Sequence, residues 1–573
     1  MTRTSAPTRL RVGGAPEGFD ALLIAEEVAR AGGPVIHVAR DDARVAALRA
    51  ALAFLAPGLP VLGFPAWDCL PYDRVSPRAE VSAARMATLA ALAGGWDRPA
   101  VILTTVAGAT QRVPPREVVA GASFTARVGQ RIDVGALRAF LARMGFVQSS
   151  TVMEPGDYAI RGGLIDIYPP GDTGPIRLDL FGDVLDAARR FEAESQRTVE
   201  KVAEVALAPV SEVILDEPAI ERFRTRYRTE FGAAGRDDPL YEAVSTGAKH
   251  AGYEHWVPFF HERLETLFDY LPGAPVSLDD QADPARDARW EQVQEHYAAR
   301  REALGQGGAM GVPYKPVAPG LLYLDDAGWD AATEGRRVLS LTALPQPSGP
   351  GVIDAGGRIG RSFAPERQAE DGRLFAALAD HIAAARRKGR AIVASYSEGA
   401  RDRMATMLAD QGVEGAVPVA RLDDLPDVPG ALGLAVWPLE AGFEARGTTV
   451  IAEQDILGER LIRAPKKRKR AEDVLTEAAA LTTGDLVVHV AHGIGRFQGL
   501  ETVEAMGAPH ECLHLEYAGG DKLYLPVENI ELLTRYGHED GLLDRLGGGA
   551  WQARKARMKE RIRDMAERLI RVA

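Results

Sequence analysis

An octapeptide near the start, Gly13-Gly14-Ala15-Pro16-Glu17-Gly18-Phe19-Asp20, constrains the fold more than any other stretch of the chain. It leads into Ala21–Ala31, a segment of helical periodicity, and glycine-rich turns between strand and helix belong to parallel α/β sheets. Its glycines have the spacing of the phosphate-gripping loop G-x-x-x-x-G-K-[ST]. In that loop backbone N–H groups surround phosphates, the lysine neutralises charge and the hydroxyl holds Mg²⁺. Here the lysine position is Phe19 and the hydroxyl position is Asp20, with Glu17 as a further anion. An aromatic ring and two carboxylates repel a triphosphate. The loop therefore reads either as a nucleotide site that has lost its chemistry, with Gly13, Gly18, Phe19 and Asp20 as its degenerate positions, or as an ordinary glycine turn. Neither reading predicts ATP binding.

The alternation continues. Pro34–Val38 and Ala100–Thr105 read as buried strands, and Asp42–Ala53 and Val81–Ala93 as helices. A second acidic motif, Val213-Ile214-Leu215-Asp216-Glu217-Pro218, looks like the Mg²⁺ side of an ATPase but has no GK[ST] partner in the chain. It reads as the start of a helix at Ala219–Phe231. Residues 126–212 change character: Asp157–Pro169 is expected to be a loop leading into a strand, and Pro175–Gly182 (PIRLDLFG) is a strand with two different faces. Ile176, Leu178 and Leu180 point one way, Arg177, Asp179 and Phe181 the other. An arginine and an exposed aromatic on one face is the mixture of binding hot spots, although Phe181 tucked under the next turn is the bland alternative. The aromatics of Gly252–Phe260 and Phe268–Pro272 read as core, since they lack the interleaved cations of a base-stacking surface. Residues 346–460 repeat an α/β pattern after the breaker-rich Pro345–Gly351.

In Gly484–Tyr536 short period-two runs, Val487–Val490, Cys512–Tyr517 and Lys522–Leu525, are separated by turn chemistry at Gly493–Gly495 and Ala518–Asp521. That pattern implies a small bent sheet or barrel, which more often binds a partner than catalyses. Before it, Pro465–Arg470 holds five positive charges and reads as a solvated linker, with nucleic-acid contact as the alternative. After it, Trp551–Ala573 carries an apolar stripe, Met558, Ile562, Met565 and Leu569, and eight basic against three acidic residues. No capping residue ends that helix, so more protein is expected beyond it.

Composition narrows the function classes. The net charge of −12 argues against an overall basic coat for nucleic acid. Two cysteines, Cys69 and Cys512, exclude a disulfide framework and fit a reducing cytoplasm. No run reaches membrane-span length and the amino terminus lacks a signal-peptide core, so a cytoplasmic protein without a membrane partner is expected.

Several blocks together resemble one family. Phe64-Pro65-Ala66-Trp67-Asp68-Cys69-Leu70-Pro71-Tyr72-Asp73, RGGLIDIYPP, PIRLDLFGD and the Arg189…Thr198 segment are similar to the amino-terminal, UvrB-like module of bacterial transcription-repair coupling factors. GYEHWVPFF and VVHVAHGIGRFQGLE…KLYLPVENI resemble the same family further along, the latter its CarD-like RNA polymerase-interacting domain. The resemblance implies an α/β multidomain fold. Its parts are a UvrB-like parallel α/β module at 1–125 and 213–345, an inserted α+β domain at 126–212 and a second α/β domain at 346–460. A basic linker at 461–480, a CarD-like (SH3/Tudor-like) β-barrel at 481–545 and a basic amphipathic connecting helix at 546–573 follow. It implies transcription-coupled nucleotide excision repair: holding RNA polymerase stalled at a lesion, through its β subunit, and recruiting UvrA. In the family, ATP- and Mg²⁺-dependent motor domains displace the polymerase and supply most contact with duplex DNA. They are not among these 573 residues, so no catalytic activity and no cofactor are expected of this segment.

Carried over by motif, the UvrA-binding residues are Arg161, expected just before the first strand of the inserted domain, with Arg177 and Phe181 on the second. The polymerase-facing strand is Leu500, Glu501, Thr502, Val503 and Glu504. Competing readings are a motorless adaptor or CarD-type transcription regulator, and a zinc protein using His510, Cys512 and His514 with His489 and His492. UvrB itself is excluded by Phe19 and by the barrel.

Overall fold

The computed structural model describes residues 9–193, 195–232, 238–305, 314–369 and 373–458, and then 481, 483–489, 492–505, 508–526, 533–537 and 543–545. The expected linker at 461–480 and connecting helix at 546–573 lie outside the described residues. The chain divides into two compact units, the larger holding almost everything up to residue 460 and the smaller built from 461–573.

The larger unit is organised on a seven-stranded sheet in the order Val352–Asp354, Arg9–Gly13, Val338–Leu341, Val276–Leu278, Pro34–Ala39, Ala100–Thr105, Val61–Phe64. Every pairing is parallel. Its strands come from both sides of the expected insertion, and its outermost one, Val352–Asp354, from beyond the Pro345–Gly351 breaker. Ala100–Thr105 is buried at every position, as a parallel strand covered on both faces must be. The helix Glu217–Phe231 starts where Asp216 accepts from the Ala219 N–H at 2.8 Å, so the ATPase-like acids at 216–217 form a helix cap. The aromatics of Tyr253–Phe260 are core. Phe260 stacks on Phe223 of that helix with ring centroids 4.9 Å apart.

The insertion leaves and rejoins through a short ladder, Phe124–Arg127 against Glu204–Leu207. Within it lies a six-stranded sheet in the order Thr198–Val202, Val184–Phe191, Ile176–Phe181, Leu164–Ile167, Asp157–Arg161, Val147–Gln148, antiparallel except for the last pair. The helix Val134–Arg143 buries Leu137, Phe140 and Leu141 in the same cluster as Ile165, Leu178 and Leu180. Here the expectation for 157–169 is corrected. Asp157–Arg161 and Leu164–Ile167 are two strands of a hairpin, because Gly162 takes a left-handed φ of 61° and turns the chain tightly. Arg161 therefore ends a strand rather than preceding one.

Residues 358–452 form a second sheet in the order Arg358–Ile359, Phe443–Ala445, Thr448–Ala452, Arg390–Ser395, Leu432–Val436, Ala416–Val419. Its core is continuous with that of the first sheet. Ile392, Ala394, Trp437 and Phe443 share one cluster with Phe19, Ile24, Leu48 and Phe54, and Trp437 stacks on Phe54 at 4.8 Å. The helices Phe19–Ala31 and Asp42–Leu55 thus contribute to a core that both sheets share.

In the smaller unit Lys522–Pro526, Ala508–Glu516, Gly493–Ala505, Leu486–His489 and Leu533–Gly537 make an antiparallel sheet curled into a half-barrel. Its core is Val487, Phe497, Leu513, Leu515, Tyr517 and Leu525. Gly493–Gly495, expected as a turn, instead opens the long strand. No helix among the described residues is long and apolar enough to cross a membrane.

Candidate functional site

The glycine loop sits where its spacing places it, between the strand Arg9–Gly13 and the helix Phe19–Ala31. Gly18 has a φ of 93°, and a Cβ there would lie 2.8 Å from the Phe443 ring, so only glycine fits. The Asp20 carboxylate accepts from the N–H groups of Gly18 at 3.0 Å and Ala21 at 2.8 Å, donors of the kind that a phosphate would use. Asp20 is 2% exposed and is ion-paired with the buried Arg44, whose Nε also reaches Asp279 at 3.1 Å. Arg40 ties in Glu17 at 2.8 Å. Burial pushes the Asp20 carboxyl up to about 7, against the pull of Arg44, and also raises Asp279. Phe19, where the motif has lysine, is fully buried against Phe443 at 6.0 Å. Gly13, Gly18, Phe19 and Asp20 thus come together, and the protein's own side chains occupy the donors at that position.

The inserted sheet is different. The strand Ile176–Phe181 alternates as its sequence implies, with Ile176, Leu178 and Leu180 buried and Arg177, Asp179 and Phe181 on the other face. Phe181 is 84% exposed, which removes the reading in which it tucks under the turn. Leu164, opposite Asp179 on the neighbouring strand, adds a second exposed apolar group on that face. Arg177 is already engaged. It donates to both oxygens of the buried Asp166, at 2.7 and 2.9 Å, and its guanidinium lies 4.7 Å from the centre of the Phe191 ring. With 23% of its side chain exposed, it is a fixed positive group rather than a free arm. Arg161 is exposed and donates to the Ser150 carbonyl. Arg161 and Phe181 are held at opposite sides of the Gly162–Gly163 turn.

In the smaller unit, Gly499–Ala505 pairs with Ala508–His514 on one side, while on its other side the long strand meets Leu486–His489 only along residues 493–496. Among the described residues the outer edge of 500–505 therefore has no strand beside it. Leu500 is exposed there, and Thr502 and the half-buried Val503 follow; the side chain of Glu504 lies outside the described residues. The Glu501 carboxylate accepts from His514 Nδ1 at 2.7 Å, and His514 stacks on Tyr524 at 4.9 Å. Cys512 is buried, His489 stacks on His492, and the side chain of His510 lies outside the described residues. No group of three or more His, Cys, Asp or Glu among the described residues is placed to hold a metal.

Asp166 and Arg44 are the residues that inspection of the sequence passed over. Asp166 had a signal, its place in RGGLIDIYPP; Arg44 had none, since its partners lie at positions 20 and 279.

Comparison with known proteins falls on the same regions. Residues 124–212 match the UvrB interaction domain, and residues 481–537 match the CarD-like/TRCF RID domain. The transcription-repair-coupling factor of Escherichia coli (strain K12) is 33% identical, the match covering 96% of this chain and 47% of that protein. The protein of the same name from Myxococcus xanthus is 32% identical over 94% of this chain and 47% of its own length. That of Haemophilus influenzae is 28% identical over 97% and 48%. The chain spans about half the length of the curated relatives it matches, and corresponds to an amino-terminal portion of them.

Proposed function

We propose that this chain, whose homologues are transcription-repair-coupling factors, is a docking platform that links stalled transcription to excision repair. The inserted domain recruits UvrA and the half-barrel holds RNA polymerase through its β subunit. The observation that carries the reading is Phe181, an aromatic left 84% exposed on a cation-bearing sheet face inside the stretch that matches a UvrB interaction domain. A large exposed ring on a sheet face that also carries fixed guanidinium groups is the composition of an interface anchor. Arg161, Arg177 and Phe181 are the contacts, with Arg177 acting as a fixed charge locked by Asp166.

For the polymerase, the open edge at Leu500–Glu504 supports strand addition, in which backbone groups pair with a partner strand and alternate side chains select it. The loop at Gly13–Asp20 has no nucleotide role in this reading. ATP, Mg²⁺ and most duplex-DNA contact belong to the motor known in the family, and the platform works in the cytoplasm. A free-standing CarD-type regulator would account for residues 481–537 and leave the Phe181 face without a role.

The test is a pull-down of purified polymerase and purified UvrA by the 573-residue chain and by Val503→Arg. The variant places a charge in the polymerase contact and is expected to lose polymerase about tenfold or more while keeping UvrA. Full polymerase binding by Val503→Arg would refute the strand assignment.

A further inference from the structure

Strand register in the inserted sheet puts three cations in one row. Arg177 stands opposite Arg189, and Arg189 opposite Lys201. Residues directly opposite in an antiparallel ladder share a face, with Cβ atoms roughly 4.5–5.5 Å apart, and like charges so placed repel. The sheet compensates the first two: Asp166 binds Arg177, and Asp179 lies 3.2 Å from Arg189. Lys201 has no hydrogen-bond or ion-pair partner among the described residues. It lies on the edge strand Thr198–Val202, whose first four residues are all exposed. The row runs on the same face as Phe181, about 13 Å along the strand from it and about 10 Å wide.

We infer that Arg177, Arg189 and Lys201 form a carboxylate-binding strip that extends the Phe181 surface to the edge of the sheet. The partner then presents an apolar socket for Phe181 and a line of acidic side chains beside it. The inference rests on the reading of this domain as the UvrA-docking surface and adds two residues and a partner chemistry to it. Charge complementarity is the argument for the occupant: an uncompensated cation at an exposed edge, next to two others, is stabilised by anions brought from outside. A protein fits better than a nucleic acid. Phe181 and Leu164 on the same face offer apolar contact to a folded surface, which a phosphate backbone would not use.

The experiment titrates purified UvrA into the full chain and into Lys201→Glu, Lys201→Arg and Phe181→Ala, at several salt concentrations, with thermal melts as a fold control. Lys201→Glu is expected to bind about tenfold more weakly and to lose part of the salt dependence, while Lys201→Arg binds like the parent. Unchanged affinity and salt slope in Lys201→Glu, alongside a weakened Phe181→Ala, would overturn the strip and leave the docking reading intact. No binding by the parent chain would instead overturn the docking reading, and the strip with it. Loss of duplex-DNA binding by Lys201→Glu with unchanged UvrA affinity would make the row a phosphate contact and also overturn the inference.

Discussion

The loop at Gly13–Asp20 and the sheet face around Phe181 both gather aromatic rings, carboxylates and guanidinium groups, and they dispose of them in opposite ways. At the loop the groups standing at the motif's lysine and hydroxyl positions are turned inward. Asp20 takes the N–H groups of Gly18 and Ala21, Arg44 and Asp279 complete a buried ion cluster, and Phe19 is covered by Phe443. On the inserted sheet Arg177 is held by Asp166, but Phe181 and the edge of the sheet are left to solvent. Motif spacing points to the first place, and unsatisfied surface points to the second. A site that has filled its own donors is part of the core, whereas an exposed ring beside fixed charge is a surface waiting for a partner.

The hardest test of that contrast rebuilds the motif. Phe19→Lys restores the lysine of the loop but buries a charge against Phe443, so urea denaturation should report a loss of about 3 kcal/mol or more and no ATP binding. A stable variant that binds ATP would show the site to be open. Next in size, Phe181→Ala should weaken UvrA by about 2 kcal/mol, roughly thirty-fold, with the melting temperature unchanged because the ring packs against little. Arg177→Ala sharpens the comparison, since it touches both behaviours. UvrA binding should fall by about 1–3 kcal/mol, and stability should fall as well, by about 1–3 kcal/mol, because Asp166 is left buried without its donor. An unchanged denaturation midpoint would place Asp166 outside the account.

A separate effect is on pH. A carboxyl whose folded pKa is raised, here Asp20 from 3.8 to about 7 by burial, is more stable folded while protonated. Its contribution is full below the unfolded value and is lost as pH rises towards 7. Asp20→Asn should therefore flatten the decline in stability between about pH 4 and pH 7, measured by denaturant midpoint across that window. An unaltered slope would mean that Asp20 stays ionised throughout.

Much of this was legible in the chain. Period-two alternation in Pro175–Gly182 separates the core face from the face bearing Arg177 and Phe181, because one buried side of a sheet forces that pattern. The glycine loop is legible as strand–turn–helix, since its positive φ angles demand glycine. What Asp20 does there is not, because a carboxylate that repels a phosphate can equally replace one. The core shared by the two sheets depends on Trp437 meeting Phe54 and Phe443 meeting Phe19, and no local pattern encodes contacts so distant in sequence. The cation row is hidden for a related reason: it exists only once register sets Arg177, Arg189 and Lys201 side by side.

The claim at the centre is that the Phe181 face, and not the glycine loop, is where this chain takes a partner. Calorimetric titration of UvrA into the full chain and into Phe181→Ala tests it most directly. A parent that binds and a folded variant roughly thirty-fold weaker is the predicted result. Equal affinity of the two for UvrA would contradict it.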